Sequence, residues 1–172
     1  MTRYLILFRG INVGGNNLIA MKSLKQILTN AGFANVQTYI QSGNVLLEAN
    51  NNPAQTIHDL VLSNFSVDAD LMVLTKEEFE SSIANNPFSE FEGKTVHFYF
   101  CHQEIDINHD HVEKFIKASE QLLVSGKVLF LHAPEGIGRS KLVANIEKCL
   151  GQAGTGRNLN TVKKIHTMFG NA

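Results

Sequence analysis

The chain has 172 residues, 44% of them hydrophobic, and a formal net charge of −1. That is enough chain for one domain, or for two small ones sharing a core, and the charge balance excludes a strongly basic nucleic-acid binder. Two cysteines, Cys101 and Cys149, with no C-x-x-C spacing exclude a disulfide framework.

The apolar run Tyr4 to Phe8 predicts a buried first strand. It lies between Arg3 and Arg9 and is too short for a secretory signal core or a membrane span, so a cytoplasmic protein without membrane contact is expected. The following stretch, Gly10-Ile11-Asn12-Val13-Gly14-Gly15-Asn16-Asn17, reads as a glycine-rich turn feeding a helix. Backbone N–H groups and a helix N-terminus in that arrangement suit an anion. Met21, Leu24, Ile27, Leu28 and Ala31 fall at helical spacing, and Gly32 supplies a left-handed stop. Val36 to Ile40 and Val45 to Leu47 predict two strands around the turn Gln41-Ser42-Gly43-Asn44. Pro53 opens a helix with Ile57, Leu60, Val61 and Phe65 on one face, and Ala69 to Leu74 predicts a fourth strand.

Thr75 with Glu77 and Glu78 resembles an N-cap and acidic first turn of a helix ending near Ala84. Val96 to Cys101 predicts a strand and His111 to Ala118 a short helix. Gln121 to Val124 and Val128 to His132 predict a hairpin around Ser125-Gly126. Leu142, Val143, Ile146 and Leu150 mark one helix ending at Gly151. Gln152 to Arg157 reads as a flexible loop, and Val162, Ile165, Met168 and Phe169 as a last helix. The order strand, helix, strand, strand, helix, strand in the first part is the βαββαβ arrangement. The expected fold is therefore α+β: two ferredoxin-like halves, 1–74 and 75–172, packed as one compact unit. The second half is incomplete or modified, lacking the last strand and ending in a C-terminal helix.

Charge is uneven along this order. From residue 126 onward there are seven basic and two acidic residues, a net of +5, while residues 75–125 carry four basic and ten acidic residues, a net of −6. Three of the four arginines touch glycine: Arg9-Gly10, Gly138-Arg139 and Gly156-Arg157. Glycine lets a backbone approach a ligand, and a guanidinium clamps phosphate or carboxylate bidentately. Candidate ligand contacts are accordingly Arg9, Asn12, Gly14, Gly15, Ser42, Asn44, Arg139, Lys141, Arg157, Asn158 and Lys163, with Arg9, Arg139 and Arg157 expected to converge. Neither the G-x-x-x-x-G-K-[ST] phosphate loop nor the G-x-G-x-x-G dinucleotide fingerprint is met. The seven histidines offer no H-x-x-x-H helix pair, so no metal site is predicted. Cys101 and Ser140 lack a recognisable nucleophile context, and no catalytic residue or cofactor is assigned.

The segments F-R-G-I-N-V-G-G-N-N at 8–17, Y-I-Q-S-G-N-V at 39–45, G-R-S-K-L at 138–142 and T-G-R-N-L-N-T-V at 155–162 form a set. In this order and spacing the chain resembles the bacterial family catalogued as domain of unknown function 1697, over nearly its whole length. The resemblance implies a cytosolic α/β protein of this size and brings no activity with it. Leu159 stands where many relatives have an aromatic residue, which weakens any case for base stacking there. Three functional readings follow. The first is a binding module for a phosphate-bearing or other anionic ligand, a nucleotide or a nucleic acid. The second is a small enzyme acting on an anionic metabolite. The third is an interaction protein, a monomer or a homodimer formed through an exposed sheet edge.

Overall fold

Strict alternation of side chains along a central strand sets each half of this protein. A computed structural model of the chain describes residues 1–170. It divides into two compact units, Met1–Ser81 with the chain from Ile165 on, and Ser82–Lys164. Each holds a four-stranded, wholly antiparallel sheet with helices, so the fold is α+β with two similar ferredoxin-like halves.

In the first unit the strands are β1 (Thr2–Arg9), β2 (Ala34–Tyr39), β3 (Asn44–Ala49) and β4 (Asp70–Thr75), in the order β2-β3-β1-β4. Tyr4, Ile6 and Phe8 of β1 point to one face. There they meet Val45 and Leu47 of β3, Met21, Leu24 and Leu28 of α1 (Met21–Asn30), and Ile57 and Val61 of α2 (Ala54–Phe65). The intervening residues Leu5 and Leu7 are equally buried. On their face Arg3 donates through Nη2 to the Met168 carbonyl at 3.2 Å, and its guanidinium stands 5.9 Å from the ring of Phe169. Phe169 in turn packs on Phe79, ring centroids 5.6 Å apart. Phe79 belongs to α3 (Lys76–Ala84), which starts as its sequence predicts. The Thr75 N–H donates to Glu78 Oε2 (2.8 Å) and the Glu78 N–H to Thr75 Oγ1 (3.2 Å), a reciprocal capping box.

The second unit repeats the plan with β5 (Val96–Phe100), β6 (Gln121–Ser125), β7 (Val128–His132) and β8 (Thr155–Asn158), ordered β6-β7-β5-β8. Tyr99, Cys101, Leu129 and Leu131 face Leu142, Ile146, Cys149 and Leu150, while Phe98 and Phe130 meet edge to face at 4.8 Å on the other side. Both cysteines are free and buried. Burial raises both thiols, that of Cys101 to about 11, with the Glu147 carboxylate adding to the shift at Cys101.

Three local expectations change. Gln152 to Arg157 is not all loop, because Thr155–Asn158 pairs with β5 as β8 and completes the sheet. The expected modification of the second half lies in its second helix instead. This breaks at Asn145 (φ −119, ψ 20) into α5 (Lys141–Ala144) and α6 (Ile146–Leu150), and the Asn145 amide turns back onto the Lys141 carbonyl at 2.8 Å. The helix expected from His111 starts earlier, as α4 (His109–Phe115), because the Asn108 side chain caps the His111 N–H at 3.0 Å. The last helix is α7 (Leu159–Gly170).

Two measurements check the first unit. Gly43 has φ +92, and a Cβ there would lie 2.6 Å from Ile11 Cδ1 and 2.8 Å from Phe8 Cβ. Gly43→Ala is expected to lower stability by roughly 2–4 kcal/mol in urea denaturation, from overpacking and the left-handed backbone together; an unchanged midpoint would refute this packing. His58 on α2 contacts Asp68 at 2.6 Å and Asp59 at 3.4 Å, and these hydrogen bonds raise its pKa above the ordinary 6.5. A raised folded-state value means that the pair's contribution is complete below the unfolded-state pKa and disappears as pH rises through the folded one. An NMR titration should find the His58 midpoint above 6.5 in the wild type and lower in Asp68→Asn, with the stability difference between the two proteins shrinking on the alkaline side.

Candidate functional site

The candidate residues fall into two groups, one in each unit, on loops and on the strands and helices beside them. In the first unit β1 ends at Arg9, whose register partner across the sheet is Asp70. The ion pair is long, Nη1 to Oδ2 3.8 Å, with both side chains more than one-third exposed. Such a pair contributes little to stability and is screened by salt.

Beyond Arg9 the chain does not run directly into α1. Gly14 (φ 58) and Gly15 (φ 77) form the tip of a tight turn, closed by a bridge between Val13 and Asn16 and by the Asn16 N–H to the Val13 carbonyl at 2.9 Å. Helix α1 begins six residues after Gly15, at Met21, and its N-cap residue Ala20 makes no side-chain cap. The glycines thus serve a hairpin-like loop and do not line a helix N-terminus.

Asn12 holds this loop to its neighbour. Its Nδ2 donates to the carbonyls of Ile19 (2.9 Å) and Gln41 (3.0 Å), and its Oδ1 accepts from the Ile19 N–H (2.7 Å). With φ 55 it also occupies the left-handed region that asparagine tolerates. One side chain therefore closes the 12–19 loop and ties it to the 40–43 turn. That turn is built from its own polar groups. Asn44, 2% exposed, donates to the Tyr39 carbonyl (2.9 Å) and to Ser42 Oγ (3.3 Å), and the Phe8 N–H donates to the Gly43 carbonyl (2.9 Å). Ile40 is the exception. This β-branched residue sits at φ 49 with its side chain exposed, and Val13 and Leu18 on the neighbouring loop are exposed too. A left-handed β-branched residue is strained.

In the second unit, residues 133–140 form two consecutive turns, with the Gly136 N–H to the Ala133 carbonyl (2.9 Å) and the Ser140 N–H to the Ile137 carbonyl (3.2 Å). The loop is anchored at both ends. The Ala133 N–H donates to the Thr95 carbonyl at 2.8 Å, and the buried Ser140 hydroxyl donates to the buried Glu120 carboxylate at 2.6 Å. The same Ser140 oxygen caps the Val143 N–H (3.2 Å). Between and beside these anchors Arg139 and Lys141 are exposed, and neither side chain makes a hydrogen bond or ion pair among the described residues. Sequence reasoning passed over Ser140 and Glu120 because their signal is a buried pair, visible only once β6 is placed. The Glu120 charge also adds to burial in pushing the Tyr99 hydroxyl up to about 12.

Arg157 and Asn158 lie on β8. Arg157 is 8% exposed and donates through Nη1 to the Gly156 carbonyl at 2.8 Å. Burial lowers its pKa to about 10, which leaves the guanidinium charged at neutral pH. Asn158 caps α7, its Oδ1 accepting from the Thr161 N–H at 2.9 Å. Lys163 is exposed on that helix. His97, directly across from Asn158 in the sheet, is buried; the Lys94 carbonyl accepts from its ring, while Nε2 has no hydrogen-bond partner. Burial outweighs the Lys94 contact and lowers its pKa, so the ring is neutral at pH 7. Among the described residues no three His, Cys, Asp or Glu side chains gather as metal ligands, and no helix is long and apolar enough to cross a membrane.

Residues 1–130 match the model of a family described as protein of unknown function, DUF1697. The chain is also similar to a solved structure, that of a conserved bacterial protein from Streptococcus pneumoniae. Identity is 27% and the TM-score 0.70, over 97% of this chain and 98% of that one. A search against curated proteins finds no match.

The staple at Asn12 is testable by itself. Asn12→Gly keeps the backbone conformation accessible and removes only the amide. It should cost about 1–3 kcal/mol in urea denaturation and make the 10–19 segment the first site of limited proteolysis. Unaltered stability and cleavage would show that the amide holds nothing.

Proposed function

The chain belongs to this family of proteins of unknown function, and we propose that it is a binding module for a phosphate-bearing ligand, a nucleotide or a nucleic acid, taken by cations on its Gly-Arg loops. The observation that carries this reading is the state of the 133–141 loop. Two cations, Arg139 and Lys141, stand exposed without a partner among the described residues, on a backbone tied down by the Ser140–Glu120 hydrogen bond. A fixed loop loses little entropy when a ligand arrives, and a guanidinium beside an ammonium is a fitting receptor for phosphate oxygens. Arg9 supports the same reading in the first unit, since its side chain is more than one-third exposed at the end of β1. Two free, buried thiols favour a reducing, cytoplasmic setting.

The test is a thermal-shift series with pyrophosphate, nucleoside diphosphates and triphosphates, and short RNA and DNA, at low and high salt. A ligand at one hundred times its dissociation constant stabilises by about 2.7 kcal/mol. That gain should vanish in the double variant Arg139→Gln, Lys141→Gln, while the unliganded melting temperature stays nearly the same. Retention that weakens steeply with salt for polynucleotide alone identifies nucleic acid; a shift with mononucleotides identifies the small ligand. Stabilisation by none of these anions, or stabilisation that survives in the double variant, overturns the reading.

A further inference from the structure

The two sheets have four edge strands, β2, β4, β6 and β8, and one of them lacks the features that block further pairing. β2 is interrupted by a register shift between Ala34 and Gln37, with Asn35 at φ 49. β8 is four residues long and contains Gly156. β4 carries Asp70, paired with Arg9, and none of its large apolar side chains is exposed. β6, Gln121-Leu122-Leu123-Val124-Ser125, has no charge, no proline, no glycine and an unbroken five-pair register with β7. Leu123, 42% exposed, is the one strand residue among the exposed large hydrophobic side chains of the described chain.

We propose that β6 is a self-association edge, and that its partner is the β6 of a second copy of this chain, antiparallel about a two-fold axis at Leu123. The backbone geometry fits that register. The hairpin turns through Gly126 and Lys127, so Ser125 and Val128 form its closing hydrogen-bonded pair, and the alternation makes Leu123–Phe130 and Gln121–His132 hydrogen-bonded pairs as well. The N–H and C=O groups of Leu122 and Val124 then point outward. In the two-fold ladder Leu122 of one copy faces Val124 of the other, and the two such pairs exchange four hydrogen bonds. Leu123 faces its own copy as a non-hydrogen-bonded pair, the closer kind, where two exposed leucine side chains cover each other. Continuing the register outward brings Lys127 near Ser119 of the second copy, whose hydroxyl is bonded to the exposed Glu135 carboxylate. Opposite charges therefore meet at both ends of the ladder, and no like charges meet along it. The interface is self-complementary, as an isologous dimer requires, and small enough that association depends on concentration.

Sedimentation of the full chain from low micromolar to near millimolar concentration should show a monomer–dimer equilibrium. Hydrogen exchange at the high end should slow at the Leu122 and Val124 amides. Leu123→Lys places two ammonium groups at the axis and should leave a folded monomer throughout. Lys127→Glu should raise the dimer dissociation constant about five-fold, and adding Glu135→Lys should restore it. A wild type that stays monomeric overturns the proposal. So does a dimer that survives Leu123→Lys, one whose Leu122 and Val124 amides exchange as fast as in the monomer, or one indifferent to the charge swap.

Discussion

Register on a doubly buried central strand is the constraint from which the rest of the first unit follows. β1 buries Ile6 and Phe8 on one face and Leu5 and Leu7 on the other. Its two arginines, Arg3 and Arg9, share the face of Leu5 and Leu7. A slip of one residue would send both guanidinium groups toward the α1–α2 core, at a desolvation cost no local contact could offset. Register in turn brings Asn44 opposite Leu7 and sets Gly43 over Phe8 and Ile11. The 40–43 turn is thereby held where the Asn12 amide can reach the Gln41 carbonyl. The 10–19 loop is thus positioned by the strand before it.

Short polar side chains finish what the strands begin. Asn12, Asn44, Asn108, Ser140 and Asn158 each hydrogen-bond a backbone group, closing a loop or capping a helix. Loop backbone next to a buried core needs partners for its N–H and C=O groups, and a short amide or hydroxyl is the nearest source. Such residues hold the geometry of a loop, while the long cationic side chains of Arg139 and Lys141 are carried outward into solvent.

What was legible in the sequence follows this division. Helix faces and central strands were readable, because apolar periodicity reports burial directly: Tyr4 to Phe8, the α1 face from Met21 to Leu28, the α2 face and the β6–β7 hairpin lie where their patterns put them, while Ala31 falls just past α1 and is exposed. β8 was not, since Thr-Gly-Arg-Asn has no apolar alternation. Its glycine is explained only by the neighbouring strand, where a Cβ on Gly156 would lie 2.9 Å from the Tyr99 ring. The break at Asn145 was hidden for a similar reason: Leu142, Val143, Ile146 and Leu150 keep helical spacing through two short helices as they would through one. In Gly14-Gly15 the composition was right for a turn, but nothing in two glycines says whether the turn leads into a helix or folds back on itself.

Three of the four arginines adjoin glycine. The same dipeptide chemistry ends in three physical states, and topology chooses among them. Arg9 closes a strand opposite an acid and becomes half of a weak surface pair. Arg157 lies inside an edge strand, opposite Phe98, and is desolvated until its pKa falls to about 10. Arg139 lies in a loop tied at both ends, and its charge faces water. The fold therefore depends on these arginines to different degrees. A buried guanidinium is held by the fold and cannot be removed without leaving a void and unpaired polar groups. An exposed one contributes almost nothing to the fold, so its replacement changes the charge of the surface and leaves the core as it was.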